Sequence, residues 1–471
     1  MEIKRFYLAC LAHASYLIHD GGEATVIDPQ RDVNLYLEEA RELGVRIRWV
    51  IETHLHADFV SGHLELAARA GAVICLGAGS GATFAHRDLN DNDELPLGAA
   101  TLRTFSTPGH TEESISILAL EPLPNGGLSP VAVFTGDTLF IGDVGRPDLS
   151  PTKSPQELAA LLFDSLHHKL LTLPDETLVY PAHGAGSLCG RQMSADASST
   201  IGKERRLNYA LQPKERDQFV SLLTAEMPPR PAYFQNEVAR NRIGAVPLEQ
   251  LPPVRALTPE EVVAHQSAGA VVIDTRPREQ FGAAHLPGSL HIALSGQFAS
   301  WAARLLGIET SLILVAENDA AVEEARMRLA RVGIEKVEGA LAGGILAWID
   351  AGKTIRSVDQ ISAQDAAEWL SSDPDRTMLL DVREKTERVA AGFVPGSISI
   401  PLPELEKRLN ELDRDRTVLV LCRSGYRSSI ASSILDTASF PQLANIQGGY
   451  DAWALSFPSA VNAPTAAFAR S

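Results

Sequence analysis

The sequence predicts an α/β protein of three domains, and three observations support this prediction. The chain has 471 residues, which is too long for one ordinary hydrophobic core. Strand-like and helix-like segments alternate over residues 1–245. After a proline-rich segment, the chain repeats itself at a spacing of about 105 residues. We therefore expect one domain over residues 1–245, a second over 256–355 and a third over 358–460.

The composition is that of a globular protein, with 45% hydrophobic and 21% charged residues. The formal net charge of −17 argues against a nucleic-acid partner, which would require a basic surface. We find no apolar run long enough to predict a membrane span, and the N-terminus has no signal-peptide pattern. The cysteines lack paired spacing, which suits the reducing cytosol and predicts a cytoplasmic protein. They are Cys10, Cys75, Cys189 and Cys422.

In the first domain, several predicted strands lead directly into polar residues. The segments FYLACLAHASYLIH and ATVID are strand-like and are separated by a turn at residues 20–22. VNLYLEEARELG has helical spacing and ends at Gly44. IRWVIETH is an apolar strand that ends at His54, and VAVFTGD is a buried strand that ends at Asp137. Because functional residues often lie on loops held by a rigid sheet, these two positions are candidates for a site.

The rest of the chain is a linker followed by two copies of one α/β domain. The segment 245–259 is rich in proline and has no periodicity, so we predict a linker. The segment 271–292 is matched by 378–400, and LAGGILAW is matched by IQGGYDAW. The C-terminal segment SAVNAPTAAFARS is rich in small residues, and we expect it to be mobile.

A histidine-rich set in the first domain has the donor types of a metal site. The stretch THLHADF contributes His54, His56 and Asp58 at alternate positions. Each further candidate is flanked by small or turn-forming residues, which lets side chains project into one cavity. These candidates are His110, Asp137 and His183. A histidine directly after Asp58 would complete a familiar two-metal pattern, but the chain has Phe59 there.

This set resembles the metallo-β-lactamase superfamily, whose αββα sandwich carries HxHxDH, then a histidine, an aspartate and a final histidine. The resemblance places Phe59 at the sixth ligand position of the pattern. Two-metal members such as glyoxalase II need that group for their second ion. A phenyl ring offers no lone pair and fills the space, so we predict that a stable second metal site is absent.

Within this superfamily the chain resembles the one-metal persulfide dioxygenases. That resemblance implies one Fe(II) held by His54, His110 and Asp137, a two-histidine, one-carboxylate set with positions left for substrate and O2. It leaves a second group of polar residues to orient these ligands through hydrogen bonds. The second group is His56, Asp58 and His183.

Two further residues are candidates for substrate binding. Arg146, nine residues after Asp137, matches an arginine near the active site of persulfide dioxygenases and would suit a carboxylate-bearing thiol, with an ion pair at the surface as the alternative. Cys189 lies in the glycine-rich HGAGSLCG, and we expect it to face the metal pocket and to bind persulfide sulfur, with a buried inert cysteine as the alternative. Two alternatives stay open for the metal: His63 could reach the second site if a helix begins near Phe59, and a structural zinc is a weaker possibility because such sites are usually rich in cysteine.

The third domain contains a segment typical of a reactive thiol, VLVLCRSGYRSS. An apolar strand ends at Cys422, a glycine-containing loop follows, and SSIASSIL has the pattern of a helix start. Backbone N–H groups of such a loop and the helix N-terminus stabilise a thiolate or a persulfide. Arg423 and Arg427 add positive charge for an oxyanion such as sulfite or thiosulfate.

This segment resembles the rhodanese (sulfurtransferase) family, together with Asp381-Val382-Arg383 and the Gly448-Gly449 pair. Four residues separate Cys422 from Arg427, whereas the related phosphatase loops have five. In the first repeat, Ala316 lies opposite Cys422, and the acidic Glu317 and Asp319 would repel an anion. We therefore expect residues 256–355 to be a rhodanese-like domain without sulfur transfer, with a role in packing or positioning.

Together the resemblances imply an Fe(II) persulfide dioxygenase that converts RSSH, O2 and H2O to RSH and sulfite. Cys422 would then pass a sulfane sulfur to sulfite and form thiosulfate, in a chain that detoxifies sulfide-derived persulfides. The expected partners are a small-molecule persulfide such as glutathione persulfide, O2, and sulfite or thiosulfate, and members of the superfamily often form homo-oligomers. The reverse direction of coupling stays open. The alternatives are a glyoxalase II-like thioester hydrolase and a non-catalytic persulfide carrier or sensor.

Overall fold

A computed structural model describes residues 1–124, 126–212, 215–225, 227 and 230–458 of the chain. They form two compact units. The first contains Met1–Pro252 and Leu329–Gly333, and the second contains Pro253–Arg328 and the chain from Ile334 onward. The C-terminal segment that we expected to be mobile, and the last two residues of the predicted third domain, lie outside the described residues.

The first unit contains strands and helices in alternation. Its strands are β1 (Glu2–Leu8), β2 (His13–Asp20), β3 (Glu23–Ile27), β4 (Arg46–Ile51), β5 (Val73–Gly77), β6 (Arg87–Leu89), β7 (Glu94–Leu97), β8 (Ala100–Ser106), β9 (Ile115–Pro122), β10 (Leu128–Gly136), β11 (Leu178–Pro181) and β12 (Ser199–Thr200). Its helices are α1 (Asn34–Leu43), α2 (His63–Ala70), α3 (Pro155–His168), α4 (Ile201–Leu207), α5 (Arg216–Thr224) and α6 (Phe234–Ile243), with short 3-10 helices at Leu170–Thr172, Tyr209–Leu211 and Leu248–Gln250.

Two six-stranded sheets pack face to face in this unit. Their strand orders are β1-β2-β3-β4-β5-β6 and β12-β11-β10-β9-β8-β7. Buried residues of both sheets form one core, with Tyr16 and Ile51 from the first sheet against Ile117 and Phe134 from the second. Helices α1 and α2 cover the outer face of the first sheet, and α3 and α5 cover that of the second. The predicted αββα sandwich is confirmed.

Two local predictions require correction. The segment 6–19 belongs to two antiparallel strands, β1 and β2, because the chain reverses at a tight turn where the Leu11 N–H donates to the Leu8 carbonyl at 3.1 Å. The predicted linker is shorter than expected, because residues 256–257 already form a strand. The helix that we predicted to end at Gly44 does so, and Gly44 has the left-handed φ of 66° that favours glycine at this position.

The second unit contains the two repeats. Its strands are β13 (Ala256–Leu257), β14 (Val271–Asp274), β15 (Leu290–His291), β16 (Leu312–Val315), β17 (Val337–Leu341), β18 (Asp359–Ile361), β19 (Thr377–Asp381), β20 (Ile398–Ser399), β21 (Thr417–Leu421) and β22 (Leu443–Ile446). Its helices are α7 (Pro259–Ser267), α8 (Arg278–Ala283), α9 (Phe298–Leu305), α10 (Asp319–Ala330), α11 (Gly344–Asp350), α12 (Ala363–Ser372), α13 (Lys385–Ala391), α14 (Tyr426–Thr437) and α15 (Gly449–Ser456), with a 3-10 segment at Leu402–Glu411.

Each repeat builds a five-stranded parallel sheet with the same strand order. The orders are β13-β17-β16-β14-β15 and β18-β22-β21-β19-β20, which correspond strand by strand. The first long helix of each copy begins in the same way, with a capping box at Thr258 and Glu261 in one and at Ser362 and Asp365 in the other. The prediction that the chain carries two copies of one α/β domain is confirmed. None of the helices in the described ranges has the length and apolar character needed to cross a membrane.

Candidate metal centre and thiol site

The predicted metal ligands lie on loops at the ends of strands of the sandwich. His54 follows β4, Asp137 follows β10 and His183 follows β11, and His110 lies on the connection between β8 and β9. All four side chains are buried, with exposed fractions of 2% or less. The two packed sheets therefore hold these polar groups away from water at one edge of the core.

The side chains of His54, His110 and Asp137 converge. One ligand atom from each lies within 4.8 Å of the others. The Oδ2 atom of Asp137 is 3.3 Å from His110 Nε2 and 3.9 Å from His54 Nε2. His110 Nε2 and both Asp137 carboxylate oxygens are buried and have no hydrogen-bond partner among the described residues. Because unpaired buried polar atoms are costly, these residues fit a metal ion that would pair them.

Burial sets the protonation states that a metal requires. It lowers the pKa of His110 to about 3 and holds the pKa of His54 well below its usual value, with the neighbouring His56 adding to the effect at His54. Both rings are therefore neutral and can offer a lone pair. Burial and the nearby Asp58 raise the pKa of Asp137 well above its usual value. A bound cation would remove this penalty and favour the carboxylate.

Hydrogen bonds on the far side of each ring fix which nitrogen faces the centre. The Thr53 hydroxyl donates to Asp28 Oδ2 at 2.9 Å and can accept from His54 Nδ1–H at 3.0 Å. The Nδ1–H of His110 donates to the backbone carbonyl of Arg146 at 2.9 Å. In both rings Nε2 is left for a metal, as is typical of metal-binding histidines.

The second predicted group also converges. His56, Asp58 and His183 each place a ligand atom within 4.8 Å of the others, and His183 Nε2 is 3.4 Å from Asp58 Oδ2. His56 Nε2 lies 3.1 Å from Asp28 Oδ1 and 3.3 Å from Glu52 Oε2. Burial opposes protonation of His56, but these two carboxylates outweigh it and raise the pKa of His56 well above its usual value. In its protonated form His56 would be a poor metal ligand, although both of its ring nitrogens are buried without a hydrogen-bond partner among the described residues.

Phe59 fills the place of the sixth ligand. Its ring is 1% exposed, and its centroid lies 4.1 Å from that of His13 and 4.4 Å from that of His56. His63, which we considered as a substitute, begins helix α2 and places Nδ1 3.4 Å from Glu52 Oε1. It belongs to none of the ligand groups found among the described residues. The structure gives it no position at the second site.

Several residues at the centre were missed by the sequence analysis. Asp28 accepts the backbone N–H of Thr53 at 2.7 Å, and its own carbonyl accepts from His13 Nε2–H at 2.9 Å. Asn241 of helix α6 donates to the carbonyls of His56 and Phe59, both at 2.8 Å. Asp28 could have been predicted, because it ends a predicted strand in the same way as Asp137. Asn241 could not, because it is remote in sequence from the loop that it holds.

The predicted substrate residues occupy different environments. The guanidinium of Arg146 is paired with Asp148, with Nε–Oδ1 and Nη2–Oδ2 distances of 2.6 Å and 2.8 Å. Cys189 is 1% exposed and lies within 4.8 Å of ligand atoms of Asp137 and His183. Burial, Asp58 and Asp137 raise the pKa of the Cys189 thiol well above its usual value. Cys189 therefore faces the metal pocket as a neutral thiol, and substrate binding by either residue stays a prediction.

A cavity of about 900 Å³ adjoins the loops that carry the metal ligands. Its volume suits a low-molecular-weight ligand. It contains two arginines that the sequence analysis did not identify, and the Nε atom of Arg242 has no hydrogen-bond partner in the described part of the chain. The lining includes Leu55, Ala57, Thr111, Glu112, Arg230 and Arg242.

The thiol segment forms the predicted strand, loop and helix. Cys422 follows β21 and is 1% exposed, and helix α14 begins at Tyr426, two residues earlier than the predicted start. Gly425 has a φ of 95°, and its N–H donates to Cys422 Sγ at 3.1 Å. The Ser428 hydroxyl donates to the same sulfur at 3.4 Å. These donors stabilise negative charge on sulfur, which is the form that a nucleophilic thiol requires.

The two arginines of this loop are paired with carboxylates. Arg427 contacts Glu387 through both terminal nitrogens, at 2.5 Å and 2.6 Å. Arg423 is exposed, and its Nε is 3.4 Å from Asp451 Oδ2. Binding of an oxyanion at Arg427 therefore requires displacement of Glu387 or use of the remaining Nε.

The first repeat has a loop at the corresponding position but no thiol in it. Ala316 follows β16 and is 8% exposed, and Glu317 Oε1 accepts a hydrogen bond from Gln280 Nε2 at 2.6 Å. The first repeat thus carries a carboxylate where the second carries a cation.

Comparison with known proteins agrees with this architecture. Residues 8–183 match the metallo-beta-lactamase superfamily, and residues 258–351 and 362–456 each match the rhodanese-like domain. A crystal structure of a metallo-beta-lactamase from Staphylococcus aureus subsp. aureus COL is similar, with a TM-score of 0.64 and 30% identity, covering 73% of this chain and 98% of that one.

Two curated relatives each align with about half of the chain. One is a probable metallo-hydrolase of Burkholderia pseudomallei, 30% identical over 48% of this chain and 86% of the relative. The other is the mitochondrial persulfide dioxygenase ETHE1 of Bos taurus, 32% identical over 48% of this chain and 82% of the relative. The chain therefore belongs to the metallo-β-lactamase superfamily and continues into two rhodanese-like domains. Within that superfamily it is a homologue of the persulfide dioxygenases.

Proposed function

We propose that the chain is an Fe(II)-dependent persulfide dioxygenase joined to a sulfurtransferase. The first activity would oxidise a low-molecular-weight thiol persulfide to sulfite, and the second would convert sulfite to thiosulfate through a persulfide on Cys422. The observation that carries the proposal is the convergence of His54, His110 and Asp137, with buried polar atoms left unpaired.

In the first reaction the side chains of the protein would bind and orient the metal ion and the persulfide. His54, His110 and Asp137 would hold Fe(II), which supplies the O2 chemistry when bound. Thr53 and the carbonyl of Arg146 fix the two rings, so that both Nε2 atoms stay available. Cys189, as a buried neutral thiol, would contact the persulfide sulfur.

The cavity beside the metal loops is the proposed site of the carrier thiol. Arg230 and Arg242 would pair with carboxylates of a glutathione-like carrier, since guanidinium groups bind carboxylates in a two-pronged geometry. Arg146 is a further candidate, provided that a substrate carboxylate replaces Asp148. The proposal predicts that acidic carriers are preferred to neutral thiols of the same size.

Sulfur transfer at Cys422 would take two balanced steps. The thiolate attacks the outer sulfur of RSSH, an S–S bond forms, the original S–S bond breaks, and RSH leaves with the proton. A lone pair of sulfite then attacks the outer sulfur of the Cys422 persulfide, which releases thiosulfate and restores the thiolate. Arg423 and Arg427 would attract the oxyanion. Joining both sites in one chain raises the local concentration of sulfite, which suits sulfide detoxification.

The metal assignment is tested by iron content and O2 uptake. Asp137→Ala should lose iron and lower O2 uptake with glutathione persulfide by about 100-fold or more, because it removes a ligand. His86→Ala is the matched control, since His86 lies in the same unit and in none of the ligand groups of the described residues. Full uptake by Asp137→Ala would contradict the assignment and would favour a scaffold that only carries persulfide.

A thioester hydrolase of the glyoxalase II kind is a second candidate. The observation in its favour is the convergence of His56, Asp58 and His183, which would give a second cation three protein ligands. The ring of Phe59 and the carboxylates around His56 oppose it. The zinc-loaded protein should therefore hydrolyse glutathione thioesters much more slowly than the Fe(II)-loaded protein oxidises glutathione persulfide. Fast hydrolysis would overturn the dioxygenase proposal.

A further inference from the structure

The cysteine-less repeat contacts the thiol loop of the other repeat within the second unit. Tyr426, directly after the loop, donates its hydroxyl hydrogen to the carbonyl of Ala293 at 2.8 Å. His291 Nδ1 is 2.9 Å from the hydroxyl of Ser429, and the backbone N–H of His291 donates to the hydroxyl of Ser433 at 3.0 Å. The first repeat therefore supports both the loop and the start of helix α14.

One cation of the first repeat lies against the loop itself. Arg278 Nη1–H donates to the carbonyl of Ser424 at 3.1 Å. A Cβ atom on Gly425 would lie 2.8 Å from the same nitrogen, so a larger residue there would displace the guanidinium. Glu279 Oε1 accepts from Arg278 Nε at 2.9 Å, which holds the side chain in this orientation.

The peptide group contacted by Arg278 also contacts the thiol. The Ser424 carbonyl and the Gly425 N–H belong to one peptide unit, and that N–H donates to Cys422 Sγ at 3.1 Å. A charge-assisted hydrogen bond to the carbonyl draws electron density toward oxygen. The N–H at the other end of the unit becomes a stronger donor, because linked hydrogen bonds polarise one another.

We propose that Arg278 of the cysteine-less repeat is a positioning residue for sulfur transfer, acting on Cys422 through the Ser424–Gly425 peptide to stabilise the thiolate. The inference rests on the proposed sulfurtransferase function of Cys422. It gives the first repeat a chemical task although it has lost its own cysteine.

Other charges around the thiol also bear on its ionisation. Arg427 faces Glu387, and Arg423 faces Asp451, so both loop cations have a carboxylate partner. Arg278 has Glu279 as its partner and in addition donates to the loop backbone. Removal of Arg278 therefore leaves both loop ion pairs in place, and the carboxylate that it frees, Glu279, belongs to the first repeat.

The test is the pH dependence of alkylation of Cys422 by iodoacetamide in the full chain, followed by peptide mass spectrometry so that the other cysteines do not contribute. Arg278→Gln should move the midpoint of the rate profile upward by about half a pH unit or more, which is about a threefold loss of thiolate on the acid side. Arg278→Lys keeps the charge and should recover part of the shift. Since the Arg278 side chain is about one-third exposed, both variants are expected to fold.

Arg304→Gln is the matched control. Arg304 also pairs across the two repeats, with Nη2 3.4 Å from Glu384 Oε1, and its guanidinium lies over the ring of Trp301, so its contacts in the described part of the chain lie outside the thiol loop. Its profile should coincide with that of the parent. A parental profile for Arg278→Gln, or an equal shift for Arg304→Gln, would overturn the inference.

Alkylation needs no sulfur transfer, so the two proposals fail separately. A shifted profile in a protein that forms no thiosulfate would refute the proposed function of Cys422 but not the action of Arg278 on the thiolate. Normal thiosulfate formation with an unshifted profile for Arg278→Gln would refute only the proposed action of Arg278.

Discussion

The two rhodanese-like repeats keep the same framework and differ at the loop where chemistry would occur. Each buries an aspartate–arginine pair at the end of a central strand, Asp274 with Arg276 at 2.5 Å and Asp381 with Arg383 at 2.7 Å. Each also has a glycine pair with positive φ at the start of its last helix, at residues 343–344 and 448–449. These shared features belong to the fold, because the first repeat retains them without a nucleophile.

The loops differ in a coordinated way. Cys422 is replaced by Ala316, and the Arg427–Glu387 ion pair has no counterpart in the first repeat. There, Gln280 bonds the carboxylate of Glu317. The thiol and the positive charge are absent together, so the first repeat has neither the nucleophile nor the attraction for an oxyanion. The fold alone therefore does not define a sulfurtransferase.

The largest effect is expected from exchanging the nucleophile. Cys422→Ser should lower thiosulfate formation by about 1,000-fold or more, because a serine hydroxyl cannot carry sulfane sulfur. Ala316→Ser is the matched change in the first repeat and should leave the rate unchanged. The test is the rate of thiosulfate formation after addition of persulfide and sulfite. A rate for Cys422→Ser above one-tenth of the parent rate, which is a rise in activation free energy on the order of only 1 kcal/mol, would contradict the proposal.

The next effect concerns the framework. Asp381→Asn should destabilise the second repeat by about 3–5 kcal/mol, because it leaves the buried Arg383 without a carboxylate. Asp274→Asn should cost less, since Asp381 also binds Arg388 whereas the first repeat has Phe281 there. Hydrogen exchange of β19 peptides in Asp381→Asn and of β14 peptides in Asp274→Asn, each relative to the parent, measures the two costs. A larger increase in exchange in β14 than in β19 would contradict the expected order.

A smaller effect depends on pH. Burial would raise the pKa of Glu387, but Arg427 outweighs it and the pKa is lowered from 4.5. The ion pair therefore contributes stability above pH 4.5, and this contribution is lost as pH falls through the lowered value. Glu387→Gln should cost about 1 kcal/mol at pH 7, and the cost should vanish in acid. Urea unfolding at pH 7 and pH 3 tests this, and a cost that is as large at pH 3 as at pH 7 would refute the ion-pair explanation.

The corresponding position of the first repeat, Gln280, allows the reverse change. Gln280→Glu would place a carboxylate 2.6 Å from the position of Glu317 Oε1. Like charges repel, so the first repeat should lose about 1 kcal/mol at pH 7 and regain it below about pH 4. Urea unfolding of this variant should thus show the opposite pH trend to that of the parent ion pair, and equal stability at both pH values would argue against it.

The smallest effect is expected at the exposed loop cation. Arg423→Gln should change stability by less than about 0.5 kcal/mol, because the Arg423–Asp451 contact is solvent-exposed. A modest rise in KM for sulfite, with kcat unchanged, would indicate attraction of the oxyanion alone. A fall in kcat without a change in KM would contradict that role.

Much of this fold was predictable because its signals are local. Strands such as VAVFTGD are apolar runs that end in a polar residue, and the two repeats share motifs at fixed spacing. The turn within residues 9–12 was missed because both flanking segments are apolar and no glycine or proline marks the reversal. A sequence window cannot distinguish one long strand from two paired ones in such a case.

The residues around the site were only partly predictable. Histidines and aspartates at strand ends are visible as a pattern, and the structure brings the predicted metal residues together. The contacts of Asn241 with the HxHxD loop and of Arg278 with Ser424 depend on packing between distant segments. The pairing of Arg427 with Glu387 was also unforeseen, because the two residues lie 40 positions apart.

The most direct test of the central claim is a product analysis with anaerobically purified, Fe(II)-loaded protein given glutathione persulfide and O2. The parent and Cys422→Ser should consume O2 at the same rate, with thiosulfate accumulating in the parent and sulfite in the variant. That result would establish oxidation and sulfur transfer as two consecutive activities of one chain. Absence of O2 uptake by the iron-loaded parent would contradict the claim.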